Sequence, residues 1–253
     1  MANKMIFQNK SAQYSEGRPS YAPQMLHKIL DDILNTNSVV ADIGSGTGML
    51  SKVFVEKGLE TYAVEPDGDM RKKAEEKLLR YSNYHSIDAS AEQTELADRS
   101  VSLIVAASAF HWFDAKGFKQ ECMRILNEEG VVCVIYNVRV QDEFSIKQCD
   151  ICKKYCDGFV SLTHGYDKTL QLIGEFFDGS YETYEYDFPL EYTKKKFISR
   201  CLSSSYAPLP DSSNYEPYVR EITDLIGTTF KDDIFEITNK TVMFVGRMRK
   251  VTP

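Results

Sequence analysis

The sequence predicts an α/β fold with a mostly parallel sheet, on three observations. Strand-like apolar runs and helical periodicities alternate from about residue 20 to 140. A glycine-rich turn, GSGTG at 44–48, joins the first of those strands to a helix. Beyond residue 140 helical stretches dominate, and the chain closes on two further strand-like runs.

Each element has a local reason. Residues 23–34 (PQMLHKILDDIL) are apolar at 25, 26, 29, 30, 33 and 34, the spacing of one helix face. Pro23 suits a first turn, where a backbone N–H would have no partner anyway. SVVADI (38–43) reads as a buried strand, and MLSKVFVEKG as a helix that Gly58 closes. ETYAVE (60–65) is a second strand. DGDMRKKAEEKLLR (67–80) is a helix whose i, i+4 charge pairs mark a solvated face. YHSI (84–87), VSLIVAA (101–107) and VVCVIYNV (131–138) follow as strands, the last after helix GFKQECMRIL and turn NEEG.

Helices are expected over 143–157, 166–177, 194–203 and 215–227. YETYEYDFPLEY (181–192) reads as one aromatic-rich strand. IFEI, turn TNK and TVMFVGRM read as a terminal hairpin. With no Pro- or Ser-rich linker and no repeat, the second half is expected to be a lid plus closing strands of the same sheet.

Composition narrows the function classes. Hydrophobic content of 43% with 12% aromatics is ample for a packed core. Thirty basic against 37 acidic residues give a net charge of −7. That disfavours nucleic acid or anionic membrane as a partner, because counterion release needs a basic face. No apolar run approaches the ~20 residues that span a bilayer, and the first residues lack an apolar signal core. Six cysteines without secretion signals read as reduced thiols, so the expected localisation is cytoplasmic.

The strongest local signal is VVADIGSGTGML (39–50), a strand, an acid, Gly44-x-Gly46-x-Gly48 and a helix. Glycines let the backbone turn tightly and approach a ligand without a Cβ in the way. Glu65 ends the next strand, where acids accept hydrogen bonds from ribose hydroxyls in nucleotide-binding α/β folds. A P-loop is excluded, since no Lys-Ser/Thr follows at its spacing. A dinucleotide is disfavoured, because G-x-G-x-x-G/A wants a small residue where this chain has Met49.

Two other stretches carry reactive side chains. SAFHWFD (108–114) holds the one tryptophan and one of four histidines, just where the fourth strand surfaces. Catalysis, an aromatic ligand wall and core packing all fit it. CDICKKYC (149–156) places Cys149, Cys152 and Cys156 on one helix face, which reads as core packing. His27, His85 and His164 lack metal-ligand spacing, and no metal is expected.

VVADIGSGTGML with YAVEPDGDMRKKAEE resembles class I S-adenosylmethionine-dependent methyltransferases. ASAEQTELADRSVSLIVAASAFHWFD (89–114) and YSEGRPSYAP (14–23) are similar to the methyltransferase type 11-like branch of trans-aconitate and quinone-biosynthesis small-molecule enzymes. The resemblance covers residues 12–140 well and 141–253 loosely, through FISRCLSSSYAP (197–208). It implies a Rossmann-like, mostly parallel seven-stranded sheet with an antiparallel final strand and a helical cap. The implied units are a cofactor-covering segment and first helix (1–37), a core (38–140), a cap with one sheet strand (141–230) and a closing hairpin (231–253).

The resemblance also implies a site. Asp42, Gly44, Ser45, Gly46 and Gly48 would receive the methionine end of S-adenosylmethionine, and Glu65, beside Pro66, its ribose. Asp88, Ser90, Ala91 and Glu92 would line the adenine, Tyr14 and Arg18 would close over the cofactor, and Ser108 would lie near the methyl. His111 would face acceptor or cofactor as a positioning group or base, on an aromatic anchor of Trp112 and Phe113 with Asp114 as helix cap. Trp112, Ser205 and Tyr206 would border the substrate. The implied activity is methyl transfer to a small molecule with S-adenosylhomocysteine as product. The alternatives are an RNA or protein methyltransferase, or a cofactor-binding protein without transfer activity.

Overall fold

A computed structural model describes residues 20–35 and 37–248 of the 253. Seven strands form the central sheet: β1 (Val39–Ile43), β2 (Glu60–Val64), β3 (Tyr84–Ile87), β4 (Val101–Ala107), β5 (Leu126–Arg139), β6 (Tyr181–Asp187) and β9 (Asn239–Gly246). Their order is β3-β2-β1-β4-β5-β9-β6. The first five are parallel, and β9 runs antiparallel between β5 and β6. The order reverses between β1 and β4, so the loops at their carboxyl ends open the crevice where such sheets bind ligands.

Side-chain alternation sends successive residues of β4 and β5 to opposite faces. Ile104, Ala106, Val132 and Val134 pack beneath α4 (Ala115–Ile125) and α6 (His164–Phe176). Leu103, Val105, Cys133 and Ile135 pack beneath α1 (Pro23–His27) and α2 (Met49–Glu56). Burial on both faces explains why these strands are nearly continuous in apolar residues. On the β1–β3 side, α3 (Gly68–Leu78) packs Ala74 and Leu78 against Ala63 and Tyr84.

The cap has its own core. Phe144 and Cys152 of α5 (Glu143–Tyr155), Phe197 and Cys201 of α7 (Lys194–Leu202), and Tyr218 and Ile222 of α8 (Tyr215–Thr229) meet there. A two-stranded sheet of β7 (Leu190–Thr193) and β8 (Ile234–Ile237) closes it. Among the described residues, no helix is long and apolar enough to cross a membrane.

The structure departs from expectation in five places. The first helix runs on from α1 as a π-helical stretch, Lys28–Ile33, with Leu34 N–H bonded to Ile29 C=O. NEEG is no free turn: β5 starts at Leu126, and residues 127–130 fall in a register irregularity opposite β4. The run 181–192 is two strands in two sheets, because Pro189 has no N–H with which to continue the ladder. The terminal hairpin does not form. Thr238 alone separates β8 from β9, fewer than the two residues of a tight hairpin, so the chain passes from the cap sheet to the central one. Finally, α6 and β6 belong with the core rather than the cap, since Ile173 and Phe176 pack on Phe110 and Phe118, and β6 pairs with β9.

Candidate active site

The glycine loop is fixed at both ends. Gly44 and Ser45 donate N–H bonds to Val64 C=O at 2.9 and 3.2 Å, tying the loop to the end of β2. Asp42 is buried, and its Oδ2 accepts the Ser51 hydroxyl at 2.6 Å, which seats the first turns of α2. Glu65 has both oxygens occupied: Oε2 accepts Gly46 N–H and Oε1 accepts Asp67 N–H, each at 2.8 Å. One carboxylate thus joins the loop after β1 to the loop after β2. Asp67 in turn caps α3 by accepting from Asp69 and Met70 N–H.

The segment 88–92 divides. Asp88 is drawn away by Arg71, whose Nη2 lies 2.9 Å from its Oδ2 while Nη1 donates to Glu65 C=O. Asp88 does not line the cavity, although an adenine contact is expected of it. Ser90, Ala91 and Glu92 do line the cavity, with Pro66 and an unforeseen Met70. Glu92 Oε1 also accepts Asp114 N–H at 2.9 Å, linking this segment to SAFHWFD.

SAFHWFD combines two tasks. Phe110 is fully buried against Phe113, Phe118 and Phe176, and Asp114 caps α4 through Lys116 and Gly117 N–H. The aromatic anchor is therefore Phe110 with Phe113. Trp112 instead lines the cavity, its ring 4.7 Å from that of His111. Ser108 stands at φ +54 with its N–H bonded to Ile135 C=O at 2.7 Å and its hydroxyl 3.3 Å from that of Tyr21.

His111 is held by β5 and α6. Tyr136 Oη lies 2.8 Å from Nδ1 and accepts the His111 N–H at 3.1 Å. Thr169 Oγ1 lies 2.7 Å from Tyr136 Oη and 2.9 Å from Gly165 C=O. The threonine has one proton for two acceptors. If it goes to Tyr136, Tyr136 donates to Nδ1 and His111 carries its proton on Nε2. If it goes to Gly165, the chain reverses, Nδ1–H becomes the donor and Nε2 an acceptor. A Cβ on Gly165 would lie 2.8 Å from His111 Cε1, so only glycine leaves room for the ring against α6.

These residues wall two adjoining cavities, of about 350 Å³ on the Glu65 side and about 100 Å³ beneath the cap. Gly44, Gly46, Ser108, Asn137, Arg200, Ser204 and Tyr206 line both. His111, Trp112 and Ser205 face the larger; Asp42 and Ser45 face the smaller. Gly48 walls neither cavity, and its missing Cβ makes room for Leu78 and Ala74 instead. Tyr14 and Arg18 lie outside the described residues. Sequence reasoning missed Tyr136 and Asn137, which it took as strand, and Arg139 just beyond that run; polar groups at the carboxyl end of a parallel strand were the available signal. Of the CDICKKYC cysteines, Cys152 and Cys156 are buried in the cap core, and no described cluster of three or more His, Cys, Asp or Glu could hold a metal.

Known proteins match this geometry. Residues 41–134 match the family described as a methyltransferase domain. The match covers this chain from β1 into β5. An uncharacterized methyltransferase of Mycobacterium tuberculosis is 32% identical to it over 137 residues, 53% of each chain. The chain thus spans about half the length of the curated relatives it matches. A protein named as a type II methyltransferase from Anaeromyxobacter dehalogenans superposes with a TM-score of 0.66 at 19% identity, covering 91% of this chain and 98% of its own. Haemonchus contortus phosphoethanolamine N-methyltransferase 2, solved with phosphomonomethylethanolamine and S-adenosylhomocysteine, gives 0.56 at 14% identity, covering 97% of this chain and 59% of its own. Both share the fold.

The donor set of the methyltransferase domain fits a nucleoside. A pinned carboxylate suits vicinal hydroxyls, and Met70, Ala91 and Phe113 offer apolar surface to a base. Burial pushes the Glu65 carboxyl up to about 7, with Asp67 and Asp42 adding repulsion, and burial pushes Asp42 up to about 6. In the ligand-free protein such groups keep protons that the unfolded chain has lost, so their stabilisation fades as pH rises from the usual carboxylate range through about 7. Hydroxyl donors favour the ionised carboxylate, so nucleoside binding runs the other way and strengthens over the same window. Calorimetry is expected to find S-adenosylhomocysteine bound roughly tenfold more weakly at pH 5.5 than at pH 8. Glu65→Gln is expected to flatten most of that dependence, and an unchanged slope would assign it elsewhere.

Proposed function

We propose that the protein transfers a methyl group from S-adenosylmethionine to a small-molecule acceptor. The observation that carries this reading is the meeting of the two cavities at Ser108 and Asn137, one walled by Glu65 and the other roofed by the cap. A donor laid along Glu65 and the glycine loop would present its reactive end where the two cavities meet, a place closed over by Arg200, Ser204 and Tyr206 of the cap. When bound, S-adenosylmethionine supplies an already activated methyl group that leaves by in-line displacement.

The chain's own work is then alignment and exclusion of water. Glu65 orients the ribose hydroxyls, and Ser90, Ala91 and Glu92 border the base. Asp42, Ser45 and the backbone of the glycine loop border the methionine end. His111 and Trp112 on one side and Ser205 and Tyr206 on the other border the acceptor. Where the accepting atom carries a proton, His111 Nε2 takes it in the tautomer whose Nδ1–H donates to Tyr136. SAFHWFD and the SSSY segment support membership of the trans-aconitate and quinone-biosynthesis branch, and six free thiols support a cytoplasmic setting.

Calorimetry with S-adenosylmethionine, S-adenosylhomocysteine and NAD tests the donor. Glu65→Ala is expected to weaken S-adenosylhomocysteine binding about ten- to a hundredfold, the worth of one or two charge-assisted hydrogen bonds. Tighter binding of NAD, or an unaffected Glu65→Ala, would sink the reading. Labelled-methyl screening of small acids, phenols and amines beside bulk tRNA tests the acceptor class, and turnover of tRNA alone would replace the small molecule by RNA.

A further inference from the structure

We propose that the cap-side cavity is an anion site for the methyl acceptor, in which the Arg139 guanidinium grips a carboxylate or phosphate group of the incoming molecule and Arg200 adds its charge. This rests on the donor-site reading above and names the acceptor's chemistry.

Arg139 is the last residue of β5, two residues beyond Asn137 and on the same side of the strand. Its backbone is fixed opposite Asn239 of β9. The guanidinium packs against the mutually touching rings of Phe144 and Phe197, at 5.4 and 5.6 Å from their centroids. Gln148 Oε1 accepts from Nη2 at 3.1 Å, and Gln148 is itself oriented by donating to Cys201 Sγ. Nothing bonds Nε, a buried donor without a partner. Among the described residues no carboxylate pairs with Arg139. Asp142, an acid close enough to act on it, is committed to capping α5 through Ser145.

A desolvated cation lacking a counter-charge costs several kcal/mol, and proteins pair or expel such groups. Here a second cation approaches instead. Arg200 lines the same cavity; burial lowers Arg139 to about 10, with a smaller repulsion from Arg200, and it is still protonated at neutral pH. The Arg139 guanidinium, its Nε unbonded at a cavity that opens onto the glycine loop, makes a site that an anion completes, with Arg200 on the same wall. The planar fork of arginine favours a carboxylate or phosphate, which can accept from Nε and Nη together. The aromatic rings that flank Arg139 hold the fork rigid, so little rotamer freedom is lost on binding.

The test uses the full chain loaded with S-adenosylhomocysteine. Calorimetry compares succinate, benzoate and phenyl phosphate with their uncharged counterparts succinamide, benzamide and phenol. At least one anion is expected to bind ten times or more tightly than its neutral counterpart, and the preferred head group separates carboxylate from phosphate. Arg139→Met is expected to weaken that anion tenfold or more, with S-adenosylhomocysteine affinity within threefold of wild type. Its melting temperature should equal or exceed that of wild type, because a buried unpaired charge has been removed. Arg139→Lys, which keeps the charge without the fork, should fall between. Anions and neutral counterparts binding alike, no anion bound, or an Arg139→Met protein that keeps its anion affinity each overturns the proposal. So does a tenfold loss of S-adenosylhomocysteine in Arg139→Met, which would give the arginine to the donor's own carboxylate. Failure of wild type to bind S-adenosylhomocysteine instead overturns the donor site.

Discussion

His111→Ala is expected to lower kcat roughly a hundredfold on the acceptor that the screen returns, with S-adenosylhomocysteine affinity within about threefold of wild type. The size follows from the role of proton acceptor, which contributes about 10²–10⁴-fold when the accepting atom is protonated. The separation from affinity follows from position. His111 lines the larger cavity beside Trp112 and makes none of the contacts by which Glu65 holds Gly46 and Asp67 or Asp42 holds Ser51. Tyr136→Phe is the finer test. It removes the hydroxyl 2.8 Å from Nδ1 and leaves the ring packed, so it acts on the tautomer rather than on the histidine itself. A loss of roughly tenfold with a displaced acid limb of the kcat profile would mark Tyr136 as a positioning residue. Full activity in His111→Ala would remove the imidazole from the chemistry and leave it as packing on Gly165. An acceptor already ionised at working pH predicts that outcome, so the screen and this variant constrain each other.

How much of this was legible in the sequence depends on the range of the interaction. The parallel strands announced themselves because both faces are buried, and the helices of the second half fall within a few residues of their expected spans. Which sheet a strand joins is not a local property. Ile234–Ile237 and Asn239–Gly246 look like neighbours in a hairpin, and one residue too few between them sends each to a different sheet. Glu65 could be found because an acid at the end of a second strand has a local meaning. Asp88 looked equally good until Arg71, seventeen residues upstream, engaged it. Arg139 ends an apolar strand and looks like its solvated terminus. Only Phe144 and Phe197, packed on it from the cap, turn it into a half-buried cation with a buried Nε.

Gly44→Ala is expected to destabilise the protein by about 2–5 kcal/mol, a fall in melting temperature of about 5–15 °C for a chain this long. Two terms combine. Gly44 stands at φ +68, which costs an L-residue about 1–2 kcal/mol. An added Cβ would also lie 2.6 Å from Ala109 Cβ and 3.2 Å from the Phe113 ring, an overpacking worth about 1–3 kcal/mol. Gly58→Ala separates the terms, because Gly58 stands at φ +80 with nothing within 4 Å of the new Cβ. It is expected to show the conformational cost alone, about 1 kcal/mol. Ala109→Gly added to Gly44→Ala should restore the steric part and leave that same remainder, a coupling that a double-mutant cycle measures directly. Equal melting points for the single and double variants would show that the two loops do not press on each other. The meaning of the first glycine then shifts. Its bare Cα serves the contact between the loop after β1 and the SAFHWFD turn after β4, where Ala109 and the Phe113 ring occupy the space a Cβ would need.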